Sequence, residues 1–361
     1  MLTRSVFIKI TKVSVSSKAI KIKSPLIISL GKIEYAMSAV VKIETDEGIV
    51  GIGEGAPGIL ITGETLEGTA ECIREIGKVI IGCNPLDFEK IYFLMNSVAA
   101  HAPSAKTAID IAIHDIIGKV TNQSIAQLFG GYRESIETDM TLSIDEAGVM
   151  AAKAKAHVAD GFNTLKIKVG VDEQLDVERI KQIREAVGTS TKLRLDANQA
   201  WNPKQAVQMI DRLSEYDIEL VEQPVKAHNL EGLKFVRDHS KVAIMADESC
   251  FTAKDALRLV RMEAVDFVNI KLMKCGGLYE AAKISSICEV AGIECMIGCM
   301  AEETNIAVTA AAHLASGLKN ITRCDLDATF GLTEVVLPGG VSLEANKDIT
   351  VSHSIGLGIG G

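Results

Sequence analysis

Between Thr141 and Asp325 the chain repeats itself at a nearly constant interval. Apolar runs end in a polar or small residue at Thr141, Lys168, Asp196, Glu222, Asp247, Lys271, Gly298 and Asp325. The steps between them are 27, 28, 26, 25, 24, 27 and 27 residues. Each interval holds a helix-patterned segment punctuated by Asp, Asn, Thr or Gly. Eight strand ends, one βα unit apart, predict an α/β fold of the TIM type, a (β/α) barrel whose strand ends converge on one mouth.

The segment Thr164-Leu-Lys-Ile-Lys-Val-Gly170 sets the chemistry of that mouth. Strand side chains alternate, so Lys166 and Lys168 share one face and Leu165, Ile167 and Val169 the other. Alone, these seven residues read better as an edge strand with a solvated lysine face. The repeat overturns that reading, because it puts the strand inside a closed ring. Two inward ammonium groups then need compensating charge.

Asp196, Glu222 and Asp247 end three consecutive strands and supply it. Neighbouring carboxylates repel and raise one another's pKa, and a hard divalent cation resolves the conflict. All-oxygen ligation suits Mg2+, with Mn2+ as a substitute. The plain alternative pairs each acid with a local base such as Arg194 or Lys192. Lys166 and Lys168 lie one strand before the acids and Lys271 one strand after. A lysine crowded by a second lysine and a dication is expected to have a lowered pKa and to act as a base. The chemistry this suits is removal of a proton α to a carboxylate, with a base on each face so that the carbon inverts. Structural salt bridges from these lysines to Asp196 and Asp247 are the alternative. Asp325 and Asp327 close the eighth strand on one face and suit a substrate ammonium group; turn or helix-cap aspartates are the bland reading.

Residues 1 to about 125 do not follow the repeat. Val6–Ile22 and Met37–Gly53 read as strands, the second broken by Asp46-Glu47-Gly48. Ser24–Lys32 and Glu54–Glu64 read as loops. Helices are expected at Glu64–Ile81, Pro85–Ala100 and Pro103–Thr121, with His114 and Asp115 in solvated or capping roles. This makes an α+β capping domain (1–125), followed by the barrel (126–328) and a segment (329–361) that returns to pack on the cap. Asp145 is expected to cap one barrel helix, Pro203 to start another, and a third to run from Glu302 to Ser316.

Composition excludes several classes. A net charge of −9 with no basic tract argues against nucleic acid. No apolar run approaches membrane-spanning length, and Met1–Ile10 has no signal-peptide core. Eight scattered cysteines without a paired C-x-x-C pattern predict mostly reduced, buried thiols and a cytoplasmic protein. Cys299, just past a strand end, is placed either in the packing or in a pocket wall.

Lys166-x-Lys168, Asp196-Ala-Asn198, Glu222-Gln-Pro224, Asp247-Glu-Ser249 and Asn269-Ile-Lys271 with Lys274-Cys-Gly-Gly277 together resemble the muconate-lactonizing subgroup of the enolase superfamily, where lysine bases act with Mg2+. Within it, Asp325-x-Asp327, Ile61-Thr-Gly63 and Ile321–Asp327 look like dipeptide epimerases of the L-Ala-D/L-Glu type. That resemblance implies Mg2+ on Asp196, Glu222 and Asp247, with Asn198, Gln223 and Glu248 behind the ligands. It implies Lys168 and Lys271 as the two bases and Lys166 beside the substrate carboxylate. Thr141, Cys299, Asp325 and Asp327 then meet the dipeptide, and a homo-oligomer is expected. One position departs: an arginine expected in the first capping loop is Gly31, and Lys32 is left to receive a glutamate side chain. Competing readings are an N-acyl amino acid racemase, an o-succinylbenzoate synthase or cycloisomerase, and a non-catalytic carboxylate-binding barrel.

Overall fold

Register decides where the functional side chains end up, and the strands of the repeat pair in chain order. The computed structural model describes residues 7–351 and 354–360, so Val6 lies outside it. Eight parallel strands form one sheet: β5 (Met140–Leu142), β6 (Thr164–Lys168), β7 (Lys192–Asp196), β8 (Ile218–Glu222), β9 (Ala243–Ala246), β10 (Phe267–Lys271), β11 (Glu294–Gly298) and β12 (Ile321–Asp325). Lys168 stands opposite Asp196, Asp196 opposite Glu222, Lys271 opposite Gly298, and Gly298 opposite Asp325. A bridge between Thr138 and Cys324 joins the last strand to the segment before the first, closing the ring.

Helices follow the first seven strands, several with clear start signals. Asn202 and Gln205 form a capping box ahead of Pro203, and Asp172 accepts from Gln174 N and Leu175 N. Two expected starts move. The helix after β5 begins at Ala147, and Asp145 instead accepts from Glu146 N and pairs with Lys153. The helix expected from Glu302 begins at Asn305 under a Thr304 cap, because Glu302 and Glu303 belong to a folded loop. The eighth unit is incomplete: only a single turn, Ala328–Gly331, follows β12 before the chain turns away.

The cap is a three-stranded antiparallel sheet, β1 (Ile10–Ile28), β2 (Gly31–Thr45) and β3 (Val50–Gly55), against α1 (Leu66–Ile80), α2 (Phe88–Val98) and α3 (Pro103–Thr121). The loop expected over Ser24–Lys32 is mostly the tip of the β1–β2 hairpin, with Leu26 opposite Ile33 and Ile28 opposite Gly31. A register shift between Lys21 and Leu26 absorbs Pro25. In β3, Gly51, Gly53 and Gly55 face α3 so closely that a Cβ on them would meet Ala112 O at 2.1 Å, Ala108 O at 2.0 Å and Ser104 O at 2.5 Å. Two residues of strand rise about as far as four of helix, roughly 6 Å, so the glycines and the helix carbonyls keep step. His114 and Asp115 on α3 are buried rather than solvated. Asp115 accepts from Ile52 N, Leu357 N and Lys119 Nζ, tying β3 and the chain's last residues to the helix.

The returning segment touches both parts. Its short strand β14 (Asp348–Thr350) pairs beneath the barrel with β4 (Ser135–Glu137) on one side and β13 (Ser342–Leu343) on the other, while Gly356 bridges to Ser124 and Leu332 to Ile22. No described helix is long and apolar enough to cross a membrane.

Candidate active site

Lys166 and Lys168 project from β6, Asp196 ends β7, Glu222 ends β8, Asp247 follows β9 and Lys271 ends β10. All six are buried. The ligand oxygens of Asp196, Glu222 and Asp247 lie within 4.8 Å of one another. Lys168 Nζ sits 2.6 Å from Asp196 Oδ2, and Lys271 Nζ sits 2.9 Å from Asp247 Oδ2, so the two lysines approach the acid trio from opposite flanks. Lys166 Nζ lies 2.7 Å from Asp325 Oδ2, 2.8 Å from Glu222 Oε2 and 3.2 Å from Asp196 Oδ2.

The lowered lysine pKa is expected with a dication alongside; among the protein's own groups the electrostatics of Lys166 and Lys271 run the other way. Burial works against charge on Lys166 and Lys271, but the carboxylates facing them win: Asp325, Glu222 and Asp196 hold Lys166 charged, and Asp247 does the same for Lys271. Crowding by other lysines is therefore not the dominant field among the protein's own groups. Burial also opposes ionisation of Asp196, yet Lys168 and Lys166 hold it down to about 2. Glu222 behaves differently. Burial and the neighbouring Asp196 charge push it up to about 7, and its Oε2 accepts no well-aligned hydrogen bond despite its nearness to Lys166. An under-compensated buried carboxylate in a cluster of hard oxygen donors fits a divalent cation.

Around the acids, Asn198 Nδ2 donates to Glu248 Oε1 at 3.2 Å, and Gln223 Oε1 accepts from Asp247 N and Ser249 N. Asn198 and Gln223 carry left-handed backbone, φ 40° and 38°, where the chain turns sharply after its ligands. Two further residues gained no role from the sequence. Asn269 Nδ2 donates to Glu222 Oε1 at 2.7 Å, and Lys274 Nζ contacts Asp247 Oδ1 at 2.5 Å. Asn269 was legible in principle, being two residues before Lys271 on the same strand face. Lys274 had no periodic signal.

The mouth opens into a cavity of about 490 Å³ lined by Lys166, Lys168, Lys271, Thr141, Asp325 and Asp327, among others. Thr141 N donates to Asp327 Oδ2 at 2.7 Å, which aims that carboxyl across the eighth strand. Cys299 lines the wall, and burial together with Asp325 and Asp327 keeps its thiol well above its usual pKa. The cap supplies Ile22, Pro25, Leu26, Ile28, Ile33 and Ile61. Ser29 at the hairpin tip donates to Ala197 O and Asn198 O, seating the cap on the loop behind the acids. Lys32 is not brought into this cavity; it is half-exposed and pairs with Glu34 at 2.8 Å.

Residues 149–360 match the enolase C-terminal domain-like family, and residues 10–130 match the N-terminal domain of the mandelate racemase/muconate lactonizing enzymes. The chain belongs to this family. Its relatives in the mandelate racemase/muconate lactonizing family include epimerases. It is 59% identical to the hydrophobic dipeptide epimerase of Enterococcus faecalis, over 97% of this chain and 99% of the relative. It is 41% identical to the L-Ala-D/L-Glu epimerase of Clostridium acetobutylicum, over 95% and 96%. The crystal structure of the dipeptide epimerase from Enterococcus faecalis complexed with Mg and L-Leu-L-Tyr superposes with a TM-score of 0.96, covering 98% of this chain and all of that one.

Proposed function

We propose that this protein is a Mg2+-dependent dipeptide epimerase that inverts the α-carbon of the C-terminal residue, with preference for apolar side chains. The observation that carries the reading is the placement of Lys168 and Lys271 on opposite flanks of one acid trio, 2.6 Å from Asp196 and 2.9 Å from Asp247. Asp196, Glu222 and Asp247 would hold the ion, which when bound supplies positive charge to the substrate carboxylate as its α-carbon loses a proton. Lys166 adds a fixed ammonium on the same side. One lysine amine takes the α-proton, and the C–H electron pair moves toward the carboxylate. The other lysine, as its ammonium, returns a proton to the opposite face. Asp325 and Asp327 receive the dipeptide's α-ammonium group, a role that an acyl amino acid would leave empty.

The side-chain preference rests on the cap. Six of the eight cap residues that line the cavity are aliphatic or proline, Ile22, Pro25, Leu26, Ile28, Ile33 and Ile61; the other two are Lys23 and Ser24, and none is arginine. The cations on the outer wall are engaged, Lys153 by Asp145 at 2.9 Å and Lys23 by Phe330 O at 3.0 Å. All eight cysteines are free thiols, which supports a reducing, cytoplasmic setting.

The test is proton NMR in D2O with Mg2+, comparing L-Leu-L-Phe with L-Ala-L-Glu. Loss of the C-terminal α-proton signal with appearance of the L,D product, faster for the apolar dipeptide, is the expected result. Faster turnover of L-Ala-L-Glu would overturn the preference, and absence of α-exchange with either would overturn the epimerase reading. Lys32→Ala is expected to leave the ratio of the two rates unchanged.

A further inference from the structure

The glycines of β3 press one face of that strand onto α3, and the opposite face sets Glu54 against the start of the helix after β11 (Asn305–Gly317). Its carboxyl is fully buried. Glu54 Oε1 accepts from Ser38 Oγ at 2.5 Å, and Oε2 accepts from Thr304 Oγ1 at 2.8 Å and Ala307 N at 2.9 Å; Thr304 N lies 3.3 Å from both oxygens. Among the described residues no lysine or arginine pairs with it. A buried carboxyl with only neutral donors is costly unless each is well placed.

What those donors belong to matters. Thr304 ends the loop that follows β11, and Cys299, Met300, Ala301 and Glu302 of that loop wall the cavity. Met300 and Glu303 bond to each other within the loop, Met300 N on Glu303 Oε1 at 2.7 Å, while Cys299 N on Asp325 O at 2.9 Å ties its start to the barrel and Thr304 on Glu54 is the third contact. Only the third comes from the cap. Because its first anchor is Asp325, the loop flanks the aspartate pair rather than the acid trio.

We propose that Glu54 is a positioning residue for substrate binding, through which the capping sheet fixes the 299–304 loop at the ammonium end of the cavity. The inference rests on the dipeptide reading above for its substrate, but not for its structural arm. It assigns the cap a second function besides walling the cavity with apolar residues.

The test uses the full chain with Mg2+ and the variants Glu54→Gln and Ser38→Ala. Glutamine keeps the volume but turns an amide N–H2 toward donors. Ser38→Ala removes a donor that reaches the loop only through Glu54, and it serves if Glu54→Gln fails to fold. Amide hydrogen exchange over 299–307 is expected to quicken about tenfold in Glu54→Gln, with β10 unchanged, and about threefold in Ser38→Ala. Dipeptide KM should rise about tenfold in Glu54→Gln while kcat changes much less, since the bases and acid trio keep their own supports. Exchange and KM indistinguishable from wild type in a folded Glu54→Gln protein would overturn the proposal, as would a lowered melting temperature with KM unchanged. If wild type turns over no dipeptide, the exchange measurement still decides Glu54 and only the proposed activity falls.

Discussion

Lys166 Nζ and Asp325 Oδ2, 159 residues apart in sequence, lie 2.7 Å apart inside the barrel. The pair spans from the second strand to the eighth, linking the acid trio to the aspartates that face the substrate's other end. Asp325→Asn should lower kcat/KM on dipeptides by about two to three orders of magnitude, because the substrate's α-ammonium group loses a charged partner at a buried site. Steady-state kinetics would measure it, and the same change should cost far less with an N-acyl amino acid, which carries no ammonium group.

The acid trio predicts a metal-linked stability. Saturating Mg2+ should stabilise the wild type by about 2 kcal/mol or more, seen as a melting temperature that rises with the ion and falls back with EDTA. Asp196→Asn should lose that response and its calorimetric Mg2+ binding while remaining folded, since the barrel core does not depend on the acids.

Separating the two bases requires stereochemistry rather than rate alone. Lys168→Ala and Lys271→Ala should each abolish inversion, while each retains α-proton exchange with solvent for one diastereomer, and not the same one. NMR in D2O starting separately from the L,L and L,D dipeptides would show it. Exchange of both diastereomers by either variant would contradict the two-base geometry.

His313 predicts a pH dependence of stability. Burial holds its imidazole down to about 4 from 6.5, against the weaker opposing effect of Leu357 O. Its ring accepts from Ala126 N and faces Leu357 O, a pattern that uses the neutral ring with its proton on Nε2. Below pH 6.5 the unfolded chain gains a proton that the folded chain refuses. Stability from this residue is thus full above pH 6.5, falls as the pH drops toward 4, and levels off below, by roughly 3 kcal/mol in all. Urea unfolding between pH 4 and 7 should show a shallower pH slope in His313→Gln.

The close approach of β3 and α3 leaves no room for a methyl group. Gly53→Ala should destabilise by about 3 kcal/mol or more, because its Cβ would meet backbone rather than a movable side chain. Denaturant unfolding would read the loss, and Gly48→Ala, whose Cβ meets nothing within 4 Å, gives a reference for the cost of positive φ alone.

The barrel and its chemistry were legible because strand length and helix length are locally enforced, so the spacing of Lys168, Asp196, Glu222, Asp247 and Lys271 survives into space. What was hidden depends on pairing between distant segments. Ser24–Lys32 is the local exception, loop-like residues that become strand because Leu26–Ile28 fold back on Gly31–Ile33 as a hairpin tip. Glu54 and Asp115 look like surface acids, and only tertiary packing shows them gathering backbone donors from segments up to 253 residues away. Lys32 had the right charge in the expected stretch, yet β-hairpin geometry turns it to Glu34. The missing eighth helix was legible, because the residues after Asp327 read as turns and short strands, and only the single turn Ala328–Gly331 follows β12.

The seam in which Asp115 receives Leu357 N has a consequence for biosynthesis. Translation at about 5–20 residues per second separates the emergence of those two residues by roughly 10–50 s. Throughout that interval the buried carboxylate of Asp115 lacks one of its donors, and Ile136 at the barrel floor waits for Ile349. The nascent chain must spend that time with apolar surface uncovered. Completion of the cap and of the barrel floor therefore waits on residues 349–357, although the partners of both were made long before.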